Sequence, residues 1–258
     1  VSPAHSSRAD RDSSLDRDED RATDARAGRD SVGTVTDRRR ALVLVMLLVI
    51  VTDALLLGVH LYARTLSSPH QVYYVDADRG FGEFFQYVKF VWLIVLVAVI
   101  ARDRRSWQIA MWLLPFTYFL LDDALLVHER AGARLAGSLD LPEAIGLRAT
   151  DLGEHLVSGI AGVVVLLPLA TGYLLAPRPA RRVYHRFTVG VGALLFFGIV
   201  VDSLHIVILE EPRIGDWLGF IEDGGEMLST SALVIMAIGF ALPARPQSNG
   251  LSGLSTHS

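Results

Sequence analysis

The chain has 258 residues, 51% of them hydrophobic, a formal charge of −4 and no cysteine. That apolar content exceeds what a soluble domain of this length needs, and the small net charge supplies no basic field for nucleic acid. With no thiol in the sequence, disulfides, thiolate zinc sites, cysteine nucleophiles and iron–sulfur ligation are excluded.

Residues 1–37 mix Asp, Arg, Ser and Ala with almost no large apolar side chain. Such a segment buries too little surface to offset its ordering entropy, so it reads as a disordered tail, with no signal-peptide core. The stretch 245–258 reads the same way. Between them, 38–244 form one membrane domain with six apolar segments: Ala41–Ala63, Phe85–Ala101, Trp107–His128, Gly153–Ala176, Phe187–Leu209 and Leu218–Leu242. Each is near the length of about 20 residues that spans hydrocarbon. Their patterns are continuous rather than alternating, and lipid offers open strand edges no partner. The expected fold is therefore all-α, a polytopic membrane helix bundle of about six transmembrane helices. Gly159, Gly162, Gly190 and Gly192 read as points of close helix packing. Ser158, Ser203 and Ser229 lack the sharp turn expected of a hydrolase nucleophile.

Arginines flanking the segments set the expected orientation. Arg38, Arg39, Arg40, Arg102, Arg104, Arg105, Arg178, Arg181, Arg182, Arg186 and Arg245 lie on one side, 11 against the 6 of the other. The positive-inside rule then puts both termini in the cytoplasm, with outer loops at 64–84, 129–152 and 210–217.

The clusters of ionisable residues in and beside the segments all fall in the outer half of the membrane or at its outer edge. In chain order they are Asp53 and His60; Glu83; Asp122, Asp123, His128 and Glu129; Glu154 and His155; Asp202 and His205; and Glu222, Asp223 and Glu226. Spacing pairs some of them on one helix face: Asp53 with His60, Asp122 with Glu129, Asp202 with His205, Glu222 with Glu226. Asp53, Asp122, Asp123 and Asp202 alone cost about 10 kcal/mol at span centres, comparable to a whole domain's stability. No arginine lies within the segments to compensate them. A bound cation or a cavity open to the outside would.

Imidazoles and carboxylates without thiolate suit a divalent metal: zinc, iron or manganese. The expected ligands are Asp122, His128, His155, Asp202, His205, Glu222 and Glu226. Glu129 or Glu154 would serve as general base on metal-bound water. Asp202-x-x-His205 with Glu222 and Glu226 is comparable to part of a carboxylate-bridged di-iron set, while the third and fourth segments depart from that spacing. The function expected is a metalloenzyme, a hydrolase or non-haem iron oxidoreductase, acting on a lipid-like small molecule that enters from the lipid bilayer. The alternative is a cation or proton transporter that uses the same acids as a relay, with Asp53 its deepest member. Paired His ligation of a haem and a non-catalytic membrane partner are further readings.

Leu121-Asp122-Asp123-Ala-Leu-Leu-Val-His128-Glu129 and Ile221-Glu222-Asp223-Gly-Gly-Glu226-Met227, with Gly82-Glu83-Phe-Phe-Gln86-Tyr87, resemble a set of bacterial multipass membrane proteins. In that set an acid-acid…His-Glu helix recurs with a later acid-acid…Glu helix. The resemblance implies a common site and no particular reaction. Intramembrane zinc hydrolases of the ceramidase type differ, having seven spans and a late His-x-x-x-His pair.

Overall fold

The computed structural model of the chain describes residues 39–77, 79–143, 147–204 and 212–242, with side chains from 217 onward in the last stretch. Apart from turns, these residues are helical, and no β-sheet forms among them. The chain divides into two units, residues 1–48 and 49–258. The described part of the first unit, 39–48, is the opening of a helix, α1, that runs Arg39–Ala63. The second unit carries the remaining helices. These are α2 (Phe81–Asp103), α3 (Trp107–Ala110), α4 (Leu113–Leu125), α5 (Val127–Leu139) and α6 (Ala149–Leu174). Then come α7 (Arg178–Leu204), which is π-helical over Phe196–Val201, and α8 (Pro212–Ala241).

Five of these helices, α1, α2, α6, α7 and α8, are long and apolar enough to cross a membrane. A sixth span exists if Trp107–Leu125, which holds α3 and α4, and α5, bent from it by 71°, count as one broken crossing. This corrects the third expected segment. The sequence reads as continuous from Trp107 to His128, but Leu126 adopts φ 51°, ψ 50°, and this left-handed residue ends α4 at Leu125. The outer loop expected at 129–152 holds most of a second helix instead. Asp122 and Glu129 therefore lie on different helices, and their seven-residue spacing no longer places them on one face.

Packing follows from where backbone can approach backbone. A β-carbon at Gly153 would strike the Gly132 carbonyl, and one at Gly132 would strike Glu154, so α5 and α6 lie directly against each other. Gly190 takes Leu233 of α8 in the same way, but a side chain at Gly159, Gly162 or Gly192 would meet open space. The expectation of close packing thus holds at one of those four glycines. Phe187 packs edge to face against both Phe116 and Trp112, which stack on each other, and Trp112 meets Tyr184 edge to face; the Tyr184 hydroxyl donates to the Gln108 carbonyl at 2.6 Å. On α6, Ile160, Val163, Val164 and Leu167 form a stripe, each more than half exposed. A water-soluble bundle would bury such a stripe, whereas hydrocarbon solvates it without penalty.

Candidate functional site

The described residues enclose a cavity of about 610 Å³ at the end of the second unit where α2, α6 and α8 begin and α4 and α7 end. Its wall starts at the connection before α2. The His60 ring, buried between Tyr74 and Phe220, accepts a hydrogen bond from the Val75 amide at 3.0 Å and lies 3.7 Å from Asp76. That contact ties the connection to α1 and sets Asp76 on the cavity rim. In the first turn of α2, Glu83 accepts from the Arg79 amide and the Tyr87 hydroxyl. Gln86, one turn further, also lines the cavity and is 6% exposed.

From α4 comes Asp123. Its neighbour Asp122 is engaged differently, since Oδ1 accepts from the His128 amide and Oδ2 meets the His128 Nδ1, each at 2.9 Å. Asp122 thereby clasps the bend at Leu126, and its clasp presents His128 and Glu129 of α5 to the cavity. Across from them α6 supplies Asp151 and Glu154. Asp151 caps the start of α6 and pairs with Arg148 at 2.6 Å, a contact that pushes the exposed Arg148 guanidinium pKa further up.

On α7 the π-helical turn widens the helix, as such turns often do beside functional sites. It brings Gly198 against the Glu226 carboxylate and Phe197 against Gly225, so glycine on each helix admits the other's side chain. Asp202 follows the turn and lines the cavity. Gly219, Glu222, Asp223 and Glu226 of α8 complete the wall, spaced three, four and seven apart on one face.

Ten carboxylates thus line one cavity, with His128 and Arg148 as the cationic or potentially cationic side chains among the described residues. Of the residues expected from sequence, His128, Glu129, Glu154, Asp202, Glu222 and Glu226 are brought together. Asp122 stands behind them as the clasp. His155 is placed elsewhere. Its Nδ1 lies 2.7 Å from the Asp151 carbonyl and so carries the proton, which leaves Nε2 to accept from the Ser203 hydroxyl at 3.0 Å. Both nitrogens are thus engaged outside the cavity. His205 lies outside the described residues. Among those described, no three His, Asp or Glu side chains close on one point tightly enough to hold a metal ion.

Two residues were not anticipated as they stand. Asp123 rather than Asp122 lines the cavity, because the Asp122 carboxylate is held by the His128 amide and ring. Lys89 is the larger omission. Its ammonium is fully buried and meets Asp53 Oδ1 at 3.2 Å, the Met227 carbonyl at 2.7 Å and Ser231 Oγ at 3.1 Å. The three N–H groups meet three acceptors. Asp53, for which an external cation was expected, has its counter-ion within the chain. The signal was present in the sequence: Lys89 is the only lysine, and it sits inside an apolar segment.

The chain belongs to the family DUF8692, described as a domain of unknown function, whose profile matches residues 41–240. That match spans every element lining the cavity. No curated protein and no solved structure matches the chain.

Proposed function

We propose that this DUF8692 protein sits in the cell membrane with both termini cytoplasmic and binds a divalent metal ion in the cavity, beneath the outer surface. The metal supports chemistry on a lipid-like substrate. The observation that carries this reading is the convergence of carboxylates from α2, α4, α5, α6, α7 and α8 on one small-molecule-sized space. Carboxylates grouped in a poorly solvated site favour a bound cation over mutual repulsion. Asp202, Glu222, Glu226 and His128 are the ligands, with His205 still a candidate. Glu154 or Glu129 would serve as general base toward water that such a metal would activate. The exposed apolar stripe of α6 lets a lipid approach sideways. Protein purified in mild detergent should carry or rebind stoichiometric metal, and the Glu222→Gln/Glu226→Gln double variant should lose it. A wild-type protein that is metal-free and rebinds none ends the proposal.

A transporter is the second reading, favoured by the Asp53–Lys89 pair. Lys89 donates to Met227, itself a cavity-lining residue, so a charge pair lies directly under the floor. Metal-dependent flux in proteoliposomes, abolished in Asp53→Asn without loss of folding, would decide for it.

A further inference from the structure

Among the polar side chains of the cavity, Gln86 is neutral and more than nine-tenths buried, and its amide oxygen meets no donor among the described residues. A buried oxygen left without a donor costs about 1–3 kcal/mol. Around this one the cavity offers mainly carboxylates, which are acceptors themselves. A cation is the partner such an oxygen lacks. Gln86 and Glu226 both line this cavity, and Lys89, one turn along α2 from Gln86, donates to the carbonyl of Met227, the residue after Glu226.

The donor set narrows the kind of cation. The sequence offers four candidate imidazoles, but His60 is occupied by the Val75 amide, His155 lies outside, and His205 is not among the described residues. Of the described residues only His128 brings imidazole to the cavity, and its Nδ1 is held by Asp122. The His128 Nε2 is the one imidazole nitrogen this leaves to the cavity among the described residues, and the rest of the donor set is oxygen. Oxygen-rich sites prefer hard cations, and donors that line a space of about 610 Å³ without closing on one point suit an ion that keeps part of its water shell. We infer that the cavity floor seats a hard, partly hydrated divalent cation, manganese or magnesium in kind, with the Gln86 amide oxygen as a direct ligand beside Glu226. This rests on the metal-binding reading above and adds the class of ion and its seat.

The test is Mn²⁺ binding to the full chain in mild detergent, followed by the paramagnetic signal of free Mn²⁺, with Mg²⁺, Ca²⁺ and Zn²⁺ as competitors. Mg²⁺ should displace Mn²⁺. Gln86→Leu should weaken Mn²⁺ by about 10–100-fold, and Gln86→Glu, which keeps an oxygen, should retain binding. Binding of zinc alone overturns the class of ion and leaves the metal reading standing. Wild-type binding of Mn²⁺ with Gln86→Leu unchanged overturns the seat alone. No binding of any divalent ion ends both readings. The competition series needs no variant, so a poorly folding Gln86→Leu does not block the result.

Discussion

Lys89 carries the largest consequence for a single residue. Its ammonium and Asp53 are 0% and 1% exposed, and the pair joins α1 to α2, while Met227 and Ser231 bring in α8. Removing one partner strands a buried charge, which costs about 3–5 kcal/mol, whereas replacing both with neutral groups of similar shape costs far less. Lys89→Met should therefore lower the melting temperature in detergent sharply. The double variant Asp53→Asn/Lys89→Met should recover most of that loss. Equal melting of the single and double variants would show that the two charges do not depend on each other. The partnership joins residues 36 apart on two helices. Composition identifies Lys89 as unusual, but only helix rotation and crossing decide which acid it meets. The same limit hid Gln86, an ordinary amide in the sequence whose meaning comes from what surrounds it.

At the level of elements, the apolar runs were readable because length and hydropathy alone define a crossing helix, and Glu222 with Glu226 on one face of α8 followed from helical spacing. The bend after α4 was not readable. Leucine has no preference for the left-handed region, where an L-residue pays roughly 1–2 kcal/mol; the Asp122–His128 clasp and the docking of α5 on α6 hold Leu126 there. Docking depends on Gly132 and Gly153, neither of which stands out in a chain with 22 glycines. Gly153→Leu should force the two backbones apart and destabilise the fold by about 1–3 kcal/mol. Gly159→Leu, two turns along the same helix and facing open space, should stay within about 0.5 kcal/mol of wild type. Amide hydrogen exchange should quicken across α5 in the first variant and not in the second. If both variants exchange alike, α5 is not held by this contact.

For the whole molecule, hydropathy gave the all-α membrane architecture, and helix alternation placed the acids at one end of the bundle. Side-chain geometry then divided them into cavity wall, bend clasp and interhelical ties. The remaining question at this scale is which membrane face the cavity opens to. Helix geometry is blind to it; the arginine imbalance of 11 to 6 is the physical cue, because arginine-rich flanks resist translocation. A chain without cysteine lets the question be put directly. Ser138→Cys, at the exposed end of α5, and Asp103→Cys, at the exposed end of α2, lie on segments expected on opposite faces. In intact cells a membrane-impermeant maleimide should label Ser138→Cys and spare Asp103→Cys, and the second should react only after the membrane is opened. The reverse pattern would turn the cavity toward the cytoplasm. The metal would then be drawn from the cytoplasmic pool, while the seat against Gln86 and Glu226 would be unchanged.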